Sequence, residues 1–218
     1  TLFRSNAVLY ILDPKNADLA DLGTVMGNVY HTKEEMIDCV NAFYEGMVRR
    51  SEEMKRHPNY KTGENYAYLG LPPCFLIFDE YVAFFEMLGT KESVGLLSQL
   101  KKIVMLGRQA GYFLIVACQR PDAKYFSDGI RDNFNFRVGL GRISELGYGM
   151  LFGSDVKKQF FQKRIKGRGY CDVGTSVISE FYTPLVPKGH DFLQTIGSLA
   201  QARQDGTATG EAKGDGTD

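Results

Sequence analysis

Two short runs, CFLIF at 74–78 and YFLIVACQ at 112–119, constrain the fold more than any other feature of the chain. A strand with one wet face alternates apolar and polar residues; these runs do not, so both of their faces call for cover. Between them Leu96, Leu97, Leu100, Ile103, Val104 and Leu106 recur at helical spacing up to Gly111, a residue suited to the left-handed conformation that ends helices. A third apolar run, AVLYIL at 7–12, closes on Asp13-Pro14, a turn signal. Strand, helix and strand in alternation predict an α/β fold with a mostly parallel central sheet flanked by helices.

Other elements fit this frame. Thr32 followed by Glu35 has the spacing of a capping box, and Met36, Ile37, Val40, Phe43, Tyr44, Met47 and Val48 continue a helix to about His57, before Pro58. Residues 59–73, rich in Asn, Gly, Tyr and Pro, read as a loop. FRVGLG (136–141) and the segments GYCDV and VISEFYTPL within 169–185 read as strands at or near the far edge of the sheet. Residues 1–197 are read as the folded part, and 198–218, mostly small and polar, as a disordered tail.

Lys plus Arg and Asp plus Glu number 26 each, so no global field favours nucleic acid, membranes or acidic substrates. The four cysteines contain no CxxC and lie far in sequence from the three histidines, which is not a zinc pattern. Cys74 and Cys118 lie at or inside apolar runs, as buried free thiols do, which points to a reducing cytoplasm. No apolar run approaches the roughly 20 residues that a membrane helix needs.

Chemistry enters where the first buried strand ends in Asp79-Glu80. In open parallel sheets the functional crevice lies at the carboxyl ends of the strands. There an Asp followed by a Glu suits nucleotide hydrolysis: Asp79 would hold Mg²⁺, and Glu80 would activate the water that attacks the terminal phosphate. Gln119, at the end of the next buried strand and followed by Arg-Pro, can reach the same phosphate. Each feature alone also has a bland reading, a strand end finished with solvated polar groups. Two strand ends with complementary phosphate chemistry, one helix apart, favour the functional one.

From LYILDPKNADL through FLIFDEY, GRQAGYFLIVACQRPD and IRDNFNFRVGLGRIS to GRGYCDV, roughly residues 7–185, the sequence resembles the motor domain of the FtsK/SpoIIIE family of DNA translocases. The wording LGRISELGYGMLFG is most similar to coupling proteins of integrative conjugative elements of Gram-positive bacteria. The resemblance implies a RecA-like P-loop NTPase fold that binds ATP and Mg²⁺, with Asp79 as the Walker B acid, Glu80 as the catalytic glutamate and Gln119 as the sensor. It sets Arg108 where family members present an arginine to the neighbouring subunit's nucleotide; the same residue also suits a helix end, where a cation complements the macrodipole. Lys15, in DPKNADL, either contacts phosphate or solvates its loop. Arg142 stands near the place of a family lysine that this chain lacks. The basic run Lys157, Lys158, Lys163, Arg164, Lys166 and Arg168, interleaved with Phe160 and Phe161, either faces DNA phosphates or is solvated surface around two packing aromatics. The resemblance further implies double-stranded DNA as partner, a homo-oligomeric ring, by expectation a hexamer, conjugation or division machinery reached through other parts, and a cytoplasmic domain of a membrane-anchored parent.

A P-loop ATPase needs GxxxxGK[ST] to cradle phosphates, and residues 1–218 contain none. The family places it upstream of LYILDPK. The expectation is therefore a motor domain incomplete on its P-loop side, inactive as this polypeptide alone, with strand edges left open. Two alternatives stay open: a protein-secretion ATPase of the same fold, and a non-hydrolysing scaffold domain that binds a partner.

Overall fold

The computed structural model describes residues 2–204 other than 122, 123, 127, 154, 155, 157, 158, 161–164 and 176. Its first sheet joins β1 (Val8–Leu12), β2 (Val29–Tyr30), β3 (Cys74–Phe78) and β4 (Tyr112–Val116) in the order β2-β1-β3-β4, with every pair parallel. Helices α1 (Lys33–Arg56) and α3 (Thr90–Ala110) pack together over one face, and the short α2 (Tyr81–Glu86) leaves β3 directly. The capping box at Thr32 forms: its hydroxyl accepts from Glu35 N, and the Glu35 carboxylate accepts from Thr32 N. Gly111, at φ 77°, caps α3.

The two faces of this sheet are covered unequally. Leu12, Cys74, Leu76, Phe78 and Tyr112 are buried in a core with Val40, Phe43, Leu100 and Ile103 from α1 and α3. On the opposite face Ile11 is buried against Leu22 and Ile196, but Phe75, Ile77 and Phe113 are only partly covered and Ile115 is exposed. The apolar character on both sides of β3 and β4 is thus largely covered on one side and only partly on the other.

Three differences from the sequence reading have physical causes. The strands β5 (Arg137–Leu140), β6 (Arg168–Asp172) and β7 (Ser179–Tyr182) form a separate antiparallel sheet rather than the edge of the first. It has its own core: Tyr148 and Phe152 of α5 (Glu145–Phe152) pack with Phe160, Tyr170 and Ile178. Helix α3 begins at Thr90, before the Leu96–Leu106 stripe that marks it in the sequence, and its first turn carries Lys91 and Glu92 outward. Residues 198–204 are not a disordered tail but the second half of α6 (Phe192–Gln204). That helix buries Ile196 against Ile11 and Leu22, and the Arg203 guanidinium donates to Ala7 O at 2.9 Å. Residues 205–218 lie outside the described part. A short α4 (Asp128–Arg131) lies between β4 and β5, and no helix among the described residues is long and apolar enough to cross a membrane.

Candidate functional site at the carboxyl ends of the parallel strands

Because Leu12 pairs with Phe78 and Phe78 with Val116, strands β1, β3 and β4 end in step. The ladder runs one residue further, with Asp79 N donating to Leu12 O at 2.9 Å and Ala117 N to Phe78 O at 2.9 Å. Asp13, Asp79-Glu80 and the 117–119 segment therefore stand side by side at one rim.

Asp13 has no exposed surface. Its carboxylate accepts from the backbone N–H of Lys15 at 3.1 Å, Ala17 at 2.8 Å and Ala20 at 3.0 Å. A buried carboxylate needs such partners, and here they fix the loop after β1, in which Asn16 takes φ 49°. The loop carries Lys15 to the rim, where its Nζ lies 3.0 Å from Glu80 Oε2. Gln119 N donates to Glu80 Oε1 at 3.0 Å. One glutamate thus ties the ends of all three strands. Its side chain is only 12% exposed, and its backbone sits at φ 55°, ψ 61°, a left-handed conformation uncommon outside glycine. Tyr81, buried against Phe78, Phe85 and Phe126, anchors the next residue, and Tyr81 N donates to Ala117 O. Strain of this kind persists only where the surroundings over-determine it.

Asp79 is half-buried, and among the described residues its carboxylate has no hydrogen-bond partner. Burial, then the neighbouring Asp13 and Glu80 carboxylates, push its pKa above the ordinary carboxylate value, with Lys15 opposing them and Asp18 adding to them. An acid in this setting is relieved by a cation. Among the described residues no three or more His, Cys, Asp or Glu side chains come together as a metal cage, but one carboxylate suffices where phosphate oxygens and water supply the other ligands of Mg²⁺. Cys118, beside the site, is a neutral thiol at physiological pH, since burial and the Glu80 carboxylate push it up to about 11.

Of the residues singled out from sequence, the structure therefore gathers Asp79, Glu80, Lys15 and Gln119. Two of them arrive differently from expectation. Strand β4 ends at Val116, so Gln119 lies past the strand, and its contact with Glu80 is made by the backbone N–H while its side chain is exposed. Lys15 neither solvates its loop nor waits free for phosphate: it pairs with Glu80. Arg108 is not gathered. It is exposed in the last turn of α3, where the chain enters the amino end of β4, the opposite rim of the sheet. Arg142 is exposed between β5 and α5 and makes no bond to Asp79 or Glu80. Lys157, Lys158, Lys163, Arg164 and Phe161 lie outside the described residues. Lys166 is exposed just before β6, the Arg168 guanidinium lies 4.3 Å from the centroid of the Tyr182 ring, and Phe160 stacks on Tyr148 at 4.2 Å as a packing aromatic. Sequence reasoning missed the Lys15–Glu80 pair, which spans 65 positions, and the role of Asp13, whose place before Pro and Asn was the available signal for a carboxylate-organised turn.

A parallel sheet flanked by helices, with an acid pair at its carboxyl rim, is the architecture of the RecA-like P-loop NTPase fold, and comparison with solved structures agrees on the fold. The chain superposes on the pCW3 conjugation coupling protein TcpA, monomer form with ATPγS, with a TM-score of 0.69 at 18% identity over 91% of this chain and 58% of that one. It superposes on EssC (ATPases 2 and 3) from Geobacillus thermodenitrificans with a TM-score of 0.62 at 15% identity, over 94% of this chain and 39% of that one. For the cytoplasmic domain of the Thermomonospora curvata type VII secretion ATPase EccC the TM-score is 0.59 at 19% identity, over 88% and 24%. At such identities the likeness is one of fold. No protein-family model matches the chain. In sequence it is 54% identical over 209 residues, 95% of its length, to the FtsK domain-containing protein YdcQ of Bacillus subtilis (strain 168). The chain is thus similar over almost its whole length to part of an FtsK-domain protein, and it spans 43% of the length of that relative.

Proposed function

We propose that the chain is the carboxyl-terminal part of an ATP-hydrolysing motor domain that drives double-stranded DNA through a ring of identical subunits, by expectation six, in conjugative DNA transfer. The observation that carries the hydrolytic reading is Glu80, held in a strained backbone at the carboxyl rim beside Asp79, with the ends of β1 and β4 both bonded to it. In this reading Glu80 takes the proton of the attacking water, and Gln119 and Lys15 face the terminal phosphate. Asp79 would hold Mg²⁺, which supplies charge neutralisation to the phosphates when bound. The cradle for the other phosphates, a GxxxxGK[ST] segment, is assigned to residues upstream of this chain, so residues 1–218 alone do not turn over ATP. Arg108 acts on the nucleotide of the adjacent subunit, and Arg142 and the basic segment around Lys166 are the candidates for further phosphate and DNA contact. The parent is read as membrane-anchored with this domain in the cytoplasm, working with conjugation or division machinery.

The DNA cargo draws support from the 54% identical FtsK-domain relative and from the likeness to a conjugation coupling protein. The likeness to EssC and EccC favours a second reading, the same motor applied to protein secretion. Steady-state ATP hydrolysis by the full-length protein, with and without double-stranded DNA at two salt concentrations, separates them. The DNA reading predicts stimulation that weakens as salt rises. Turnover indifferent to DNA supports the protein cargo, and a properly folded full-length protein that binds no nucleotide returns the domain to a scaffold.

A further inference from the structure

The Lys15–Glu80 pair has consequences beyond placing the glutamate. Glu80 spends one oxygen on an ammonium and the other on a backbone N–H, each at 3.0 Å. A carboxylate so engaged is poorly placed to take a proton from water until one contact is given up. The two contacts differ in how freely they can go. Gln119 N is part of the main chain leaving β4, whereas Lys15 Nζ sits on a flexible four-carbon stem with the side chain 41% exposed. The base of that stem does not move freely, because the buried Asp13 carboxylate pins the backbone around it with three N–H bonds. Lys15 is therefore a mobile cation on a fixed mount. It stands among Asp13, Asp18, Asp79 and Glu80, whose negative charge opposes the approach of an anion.

We propose that Lys15 is a latch: in the nucleotide-free chain it holds Glu80, and it leaves that carboxylate for the terminal phosphate when a nucleoside triphosphate binds. The inference rests on the reading of Glu80 as the base that activates water. The exchange frees Glu80 Oε2 at the moment a phosphate is in place to be attacked. A nucleoside diphosphate offers no group at that position, so Lys15 stays on Glu80 and the base stays engaged. Lys15 is thus a positioning residue that couples the base to the third phosphate, and it contributes to discrimination between triphosphate and diphosphate.

The test is a binding cycle by titration calorimetry on the full-length protein, with ATPγS and ADP as probes in the presence of Mg²⁺. Lys15→Met is expected to weaken ATPγS about tenfold and to leave ADP within about twofold. Glu80→Gln removes the charge that competes for the ammonium and is expected to tighten ATPγS by roughly threefold or more. That gain disappears in the double variant, and Lys15→Arg retains most of the wild-type preference. Equal weakening of both nucleotides by Lys15→Met, or a Glu80→Gln gain that persists in the double variant, overturns the latch. Thermal melts matching wild type keep the readout one of binding. If the wild-type protein binds neither nucleotide, the proposed function falls and the latch with it; if it binds both and the cycle shows no coupling, the latch alone falls.

Discussion

The two rims of the parallel sheet are built from the same three strands and carry opposite chemistry. At the carboxyl rim Asp13, Lys15, Asp79, Glu80 and Gln119 are joined through side-chain and backbone bonds into one assembly. At the amino rim α3 ends in an exposed Arg108 whose guanidinium makes no hydrogen bond or ion pair among the described residues. The rims are separated by the length of a five-residue strand, about 16 Å, so one copy cannot bring both to a single phosphate. A lone arginine on the far rim is what a site shared between subunits requires; it is equally what a helix end carries for its own macrodipole. The two roles of Arg108 differ in what its removal does to turnover and to stability.

The largest effect expected is on turnover. Arg108→Ala in the full-length protein should lower ATP hydrolysis by about 10³-fold if the arginine completes a neighbour's site, while a shift of about 2 °C in Tm with turnover intact would reduce it to a helix-end cation. Next in size is a change confined to the carboxyl rim. Asp13→Ala takes the carboxylate acceptor from three backbone N–H groups, of which only that of Ala20 keeps another, Ala17 O at 3.0 Å, which should cost about 3 kcal/mol and lower Tm by roughly 10 °C in thermal denaturation of this chain. A Tm within about 2 °C of wild type would show that the Asp13 turn does not fix the loop.

The smallest effect has the opposite sign. The folded-state pKa of Asp79 is raised, so the folded protein holds that proton more tightly than the unfolded chain does. The associated stability is fully present below the unfolded value and is lost as pH rises through the folded one. At pH 7 the ionised carboxylate is therefore a burden. Asp79→Asn should raise Tm by about 2 °C at pH 7 and leave it unchanged near pH 3, although the same substitution weakens Mg²⁺-nucleotide binding. A lower Tm for the variant at pH 7 would mean that Asp79 serves stability rather than a cation.

Much of this rim was legible from local chemistry. The strands β3 and β4, the helix between them and the Thr32 capping box follow from apolar runs, helical spacing and one S/T-x-x-E pattern, all short-range signals. What escaped depends on contacts distant in sequence. Helix α2 starts from the left-handed Glu80, a backbone state that a glutamate does not advertise, and it is held by Tyr81, Phe84 and Phe85 packing against β3 and Tyr125. The second half of α6, from Ser198, is mostly small and polar and reads as a tail; it is helical because the first half is docked, with Ile196 against Ile11 and Leu22 and Gly197 close to Val25, where a Cβ would meet Val25 Cγ1 at 3.1 Å. The second sheet reads as an edge of the first because its strands are short and mixed in character, and nothing local in them says which strands they pair with. Its separate core depends on rings from three segments, with Phe160 stacked on Tyr148 and Tyr170 edge-on to both. The Lys15–Glu80 bond is of the same kind: each residue was conspicuous alone, and only the register of β1 against β3 brings them together.

The central claim is that the carboxyl rim is a hydrolytic site with Glu80 as its base. The most direct measurement is ATP binding and ATP turnover in the full-length Glu80→Gln variant beside wild type. The account predicts that ATPγS binding is retained or tightened while turnover falls by about 10²- to 10⁴-fold. Turnover equal to wild type would contradict it, because the one residue that ties the three strand ends together would then have no part in the chemistry.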